Sequence, residues 1–224
     1  LKKTVSIALR VNLNIKSNTH KKISTGDDNT KFGVNISEIE IAYKKMSKNK
    51  FLKPVGLAVH IGSQIFDYSL FHNTYSELKT LASKLIDKGF EVPTLDLGGG
   101  FGVKYNSFQS ENFQELKKIL INLFKKSTFK ISLEPGRSLV ANSGLLITKV
   151  IRKKQTNLKN FLIVDAAMNN FIRPTLYDAY HQIEPLFKDE NRKKIKYDIV
   201  GPICETGDYL GNERDLQECF KGDF

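Results

Sequence analysis

Apolar residues occupy alternate positions at the start of the chain. Val5, Ile7, Leu9 and Val11 are separated by smaller or polar residues, the period of a strand with one face toward a core, so residues 4–12 are predicted to be extended. A polar stretch with glycine and asparagine, 16–31, reads as a loop. The period then lengthens. Ile36, Ile39, Tyr43 and Met46 have helical spacing, which predicts a helix over 36–48. Phe71, Tyr75, Leu78, Ala82 and Leu85 put one apolar stripe on a long helix over 68–88, ended by Gly89. Short apolar runs at 55–60, 94–97 and 129–134 read as strands, and 113–126 as a further helix. Alternation of strand and helix is the mark of a parallel α/β domain. Past residue 141 the pattern changes: 144–152, 160–165 and 196–200 read as strands without long helices between them, which predicts a second, mainly β domain.

Three of the α/β strands end in residues that carry chemistry, where parallel α/β folds keep their sites. The first ends in His60-Ile61-Gly62-Ser63-Gln64, the second in Asp96-Leu97-Gly98-Gly99-Gly100, the third in Glu134-Pro135-Gly136-Arg137. A glycine run lets backbone N–H groups approach an anion, and here a helix is expected to follow it. Ser63 offers a hydroxyl donor, and His60 an imidazole that can stack on a ring or hydrogen-bond. Glu134 can hold a heterocyclic nitrogen protonated, and Arg137 can clamp a phosphate or carboxylate. Each feature also has a plain reading, as a half-buried histidine, a turn or a surface salt bridge. Their recurrence at successive strand ends favours a site.

Composition narrows the choice. The chain has 224 residues, 40% hydrophobic and 26% charged, with a formal net charge of +11. Its lysines are spread along the chain without interleaved aromatics, so the charge does not mark a nucleic-acid surface; it would help attract an anionic cofactor or substrate. No run of eighteen apolar residues and no signal-like opening is present, and Cys204 and Cys219 make neither a disulfide framework nor a zinc cluster. A cytoplasmic protein without a metal is the expectation.

Taken in order, these motifs together with Lys31-Phe32-Gly33, Val164-Asp165-Ala166-Ala167-Met168, Arg173-Pro174-Thr175-Leu176-Tyr177 and Cys204-Glu205-Thr206-Gly207-Asp208 resemble the fold-type III pyridoxal-phosphate decarboxylases, and within them the diaminopimelate decarboxylases. The resemblance runs along nearly the whole chain. It implies an α/β fold: a pyridoxal 5′-phosphate-binding (β/α)8 TIM barrel, its later half in 1–140, then a mainly β C-terminal domain, part of which is 141–224. It implies a homodimer with shared active sites. His60 would stack on the cofactor ring, Ser63, Gly98, Gly99, Gly100 and Gly136 would hold the phosphate, and Glu134 would pair with the ring nitrogen. Arg137 would serve either phosphate or substrate. Arg173 and Tyr177, with Arg137, resemble a clamp for a distal carboxylate, and Glu205 resembles the partner of a distal ammonium. Cys204 would enter from the partner subunit as the catalytic proton donor. The implied reaction converts meso-2,6-diaminopimelate to L-lysine and carbon dioxide.

Two family elements are missing from these residues. No Tyr-Ala-(Val/Leu/Ile)-Lys-Ala-Asn segment supplies the lysine that the family joins to its cofactor, and no Gly-Ala-Tyr segment follows the β domain. The chain is therefore expected to be the middle of a longer protein, and inactive and poorly soluble by itself. Alternatives at this point are a related decarboxylase of ornithine, lysine or arginine, and a non-catalytic fragment or pseudoenzyme.

Overall fold

The opening alternation forms β1 (Val5–Asn12), which lies second in a five-stranded sheet. The computed structural model describes residues 3–15, 31–105 and 111–224; the loop expected over 16–31 falls, apart from Lys31, outside the described residues. The chain divides into two units, one running up to Asn142 and the other from Ser143 onward with Tyr105.

In the first unit the other strands are β2 (Val34–Asn35), β3 (Leu52–Ala58), β4 (Thr94–Asp96) and β5 (Lys130–Ser132). All pairings are parallel, in the order β2-β1-β3-β4-β5. The helices α1 (Ile39–Ser47), α2 (Tyr68–Asp87) and α3 (Phe113–Phe124) alternate with the strands. Strands β1, β3, β4 and β5 are neighbours in chain order, the arrangement of an arc of a (β/α) barrel. The two-residue β2 was not expected; its shortness leaves no readable period.

The core follows from the two periodicities. All five residues of the predicted α2 stripe are buried, together with Ile39 and Tyr43 of α1 and Leu116 and Ile119 of α3. They pack with Leu57, Val59, Leu95 and Leu97 from the strands. Tyr43 adds a polar tie, its hydroxyl donating to the Gly56 carbonyl at 2.8 Å, and burial pushes its pKa up to about 12. Alternation then sends His60 and Asp96 to the opposite side of the sheet from Leu57, Val59, Leu95 and Leu97. Ile36 departs from the expectation. Residues Ile36–Glu38 form a 3-10 turn ahead of α1, and Ile36 is 40% exposed.

Side chains fix the helix starts. Asp67 accepts from the Ser69 N–H at 3.0 Å ahead of α2, and Asn112 accepts from the Glu115 N–H at 3.1 Å ahead of α3. Gly89, at φ +84°, closes α2 in the left-handed conformation. Among the described residues no helix is long and apolar enough to cross a membrane.

The second unit is a four-stranded sheet of β6 (Val150–Gln155), β7 (Asn160–Val164), β8 (Lys194–Val200) and β9 (Tyr209–Gln217), in that order. Pairings β6–β7 and β8–β9 are antiparallel, and β7–β8 is parallel. Two short helices, α4 (Arg137–Val140) in the first unit and α5 (Arg173–Tyr177) in the second, complete the elements. The strand expected from residue 144 begins only at Val150; Leu145 is 94% exposed and Ile147 64%. Strand β9 was not expected. Its buried Leu210 and Leu216 are separated by Gly211 and by Glu213 at φ +51°, with register shifts against β8, so no period of two survives in the sequence.

Candidate functional site

The ends of β3, β4 and β5 meet through their loops. Backbone bonds continue the ladders beyond the strands, from Val59 N–H to Asp96 O and from Leu97 N–H to Ser132 O, each 2.9 Å, and then from Glu134 N–H to Gly98 O at 2.9 Å. These bonds bring His60, Ser63, Gly100, Glu134, Gly136 and Arg137 around one cavity of about 110 Å³, which Phe101 and Ser138 also line. Three sequence-predicted strand ends therefore line one cavity in the first unit.

The glycines divide their roles. Gly98 gives its N–H to the Asp96 carboxylate at 2.9 Å, and Gly99 gives its N–H to His60 Nδ1 at 3.3 Å. Gly100 is the member of the run that lines the cavity. A Cβ on Gly98, Gly99 or Gly100 would lie 2.1, 2.0 and 2.0 Å from the carbonyl oxygens of Val59, Glu134 and Gly62. The run is glycine because neighbouring strand ends touch there. The helix expected after it, over 113–126, is α3, which starts at Phe113.

His60 is held from two sides. Its carbonyl accepts from Arg10 Nη2 at 3.0 Å, and its Nδ1 accepts from Gly99. Burial, then the Arg10 charge, lowers its pKa from the ordinary 6.5, with Asp96 pulling the other way, which favours a neutral ring. Arg10 is a site residue that the sequence reading missed. Burial lowers its pKa, Glu134 acts in the opposite sense, and its guanidinium lies 4.9 Å from the centre of the Phe32 ring. The available signal was a lone cation on the small and polar face of an otherwise apolar strand.

Gly136 tests whether a ligand fits. A Cβ there would meet no atom within 4 Å, although the residue lines the cavity, so glycine preserves open space among a serine hydroxyl, an arginine, a carboxylate and a neutral imidazole. That donor set suits a flat, nitrogen-containing ring bearing a phosphate.

The remaining predicted residues belong to the second unit. Arg173 and Tyr177 sit on α5, the guanidinium 5.6 Å from the Tyr177 ring centre, with Arg173 Nε 3.2 Å from His181 Nε2. Cys204 and Glu205 are exposed on the loop between β8 and β9. Thr175 joins helix and loop by donating to the Gly207 carbonyl at 2.6 Å. Asp208, only 2% exposed, fixes that loop; it accepts from Met168 N–H at 2.6 Å and Ile203 N–H at 2.8 Å. Asp208 closes the Cys204-Glu205-Thr206-Gly207-Asp208 motif, where sequence alone assigns it no role.

A barrel arc with a polar cavity at its strand ends defines a class, and the comparisons give that class its family. The chain belongs to the pyridoxal-dependent decarboxylases, whose pyridoxal-binding domain matches residues 1–141. The diaminopimelate decarboxylase of Aquifex aeolicus is 44% identical over 225 aligned positions, covering 100% of this chain and 53% of that protein. That of Zymomonas mobilis is 40% identical, over 96% of this chain and 51% of its own length. The crystal structure of the Helicobacter pylori diaminopimelate decarboxylase complexed with L-lysine superposes with a TM-score of 0.92 at 37% identity, over 99% of this chain and 55% of that one. The chain thus spans about half the length of the curated relatives it matches.

Proposed function

We propose that this chain carries the cofactor site and substrate-recognition residues of a diaminopimelate decarboxylase, acting in the cytoplasm as a homodimer with shared active sites. The observation that carries the reading is the convergence of His60, Ser63, Gly100, Glu134, Gly136 and Arg137 on one cavity at three parallel strand ends. Pyridoxal phosphate, when bound, supplies an electron sink for the bond to the departing carboxylate. Ser63, Gly100 and Gly136 bind its phosphate, and Gly98 and Gly99 keep that loop in place through the bonds they give Asp96 and His60. Glu134 holds a proton on the ring nitrogen, and His60, kept neutral, packs on the ring face. Arg137 adds a positive charge at the mouth.

Substrate choice belongs to the second unit. Arg173 and Tyr177 take the distal carboxylate, and Glu205 takes the distal ammonium. The Cys204 thiol gives its proton to the carbon that has lost carbon dioxide, so one C–C bond breaks and one C–H bond forms. Support for diaminopimelate over ornithine or arginine comes from the Arg173 guanidinium, since those two substrates carry no distal carboxylate for it to meet.

The test is carbon dioxide release by the protein made from its full gene, with meso-2,6-diaminopimelate and L-ornithine as substrates. Turnover of diaminopimelate is expected, with kcat/KM falling about a hundredfold in Arg173→Ala, as for loss of a charge-assisted contact. Equal turnover of ornithine, or an indifferent Arg173→Ala, contradicts the substrate assignment.

A further inference from the structure

Gln64 closes the first strand-end motif but does not line the cavity, which leaves it without a task there. Its geometry gives it one. The residue adopts φ +62°, a left-handed backbone that non-glycine residues rarely hold. That turn carries its side-chain amide to the backbone of Val103. Nε2 donates to the Val103 carbonyl at 3.1 Å, and Oε1 accepts the Val103 N–H at 2.8 Å. Just before it in this ladder, the Ile65 N–H donates to Gly100 O and the Gly102 N–H donates to Ile65 O, each at 3.0 Å. The primary amide therefore acts as one more peptide group, adding a rung to the parallel bridge between Ile65 and Phe101. Val103 is 1% exposed, so its backbone groups would otherwise be buried without water.

We propose that Gln64 is a positioning residue for phosphate binding: its amide clamp on Val103 holds the Ser63 loop and the Gly100 loop in one frame, so that the two donors meet the same anion. Ser63 directly precedes Gln64, and Gly100 lies three residues before Val103. A shift of either loop separates hydroxyl from backbone donor, and two charge-assisted bonds weaken together. The inference rests on the cofactor reading of the cavity.

The experiment measures equilibrium binding of pyridoxal 5′-phosphate, pyridoxal and inorganic phosphate to the protein made from its full gene. Gln64→Met keeps the shape and removes both bonds. It is expected to bind the two phosphate-bearing probes at least about tenfold more weakly, with pyridoxal changed far less. Gln64→Glu restores both bonds only while its carboxyl is protonated. Its phosphate affinity relative to the parent should be lowest at neutral pH, where the carboxyl is ionised, and rise toward one as pH falls through the carboxylate range at about 4. Parent-like phosphate binding in Gln64→Met overturns the proposal. An equal loss for pyridoxal overturns it too, because the side chain then serves stability alone. If Gln64→Met does not fold, the Gln64→Glu profile decides, and a flat ratio to the parent rejects the clamp. A parent that binds pyridoxal 5′-phosphate while both variants do so equally sinks this inference only; a parent that binds none sinks the cofactor reading with it.

Discussion

His60 shows how one residue's surroundings set its chemistry. Its Nδ1 is committed to the Gly99 N–H, and burial and Arg10 both oppose a second ring proton. Its folded pKa is therefore below 6.5, the value the unfolded chain approaches. Between the two values the unfolded state binds more protons, so stability increases with pH through that window and is fully present above it. Melting curves of the full-length protein should lose stability as pH falls below 6.5. The loss should be smaller in His60→Gln, which cannot take the proton. Parallel pH dependences for the two proteins would contradict the assigned environment. The sequence made His60, Glu134 and Arg137 legible because each is a reactive side chain next to a turn. It hid Arg10 and Gln64, whose roles depend on a neighbouring strand or loop that only the fold brings near.

At the scale of elements, the glycine loop carries the strongest constraint. Glycines there can admit an anion, but the close contacts are with carbonyl oxygens of adjacent strand ends. In Gly99→Ala a Cβ would fall 2.0 Å from the Glu134 carbonyl, and that contact is backbone, which cannot swing aside. A destabilisation of about 3 kcal/mol is expected, from strain of the overpacked kind, with loss of cofactor binding. Differential scanning calorimetry of the full-length protein checks it, and an unchanged melting temperature would refute the close packing. The helices were readable because α2 keeps one stripe for 20 residues. Strand limits were less so: the apolar run at 145–147 stays exposed, while β9 is a strand whose period is broken by a glycine and a left-handed glutamate.

For the whole molecule, the sheet of the first unit has β2 and β5 as its outer strands. Beside β5 lies an apolar groove of Leu120, Ile121, Phe124 and Ile131. Unpaired edges and apolar grooves promote association. The 224 residues expressed alone are expected to elute from size exclusion as aggregates without a cooperative melt. A monodisperse sample with a sharp transition would show a self-sufficient fold. The sequence made the change from an alternating to a β pattern visible near residue 141. The resemblance grouped the three strand ends into one site, but which glycine of the run lines the cavity was not visible, because ladder continuation past the strand ends, Glu134 onto Gly98 above all, is a property of the assembled sheet.

The most direct test of a cofactor cavity at these strand ends is the pyridoxal 5′-phosphate binding isotherm of the full-length protein and of Gly136→Val, each with a thermal melt. The added side chain would enter space where a Cβ meets no atom within 4 Å, so folding should be little affected while the ligand's place is filled. Saturable binding by the parent and its loss in a Gly136→Val protein of unchanged melting temperature is the predicted result. Equal binding by both would mean that the cofactor sits elsewhere, and the account of this site would be wrong.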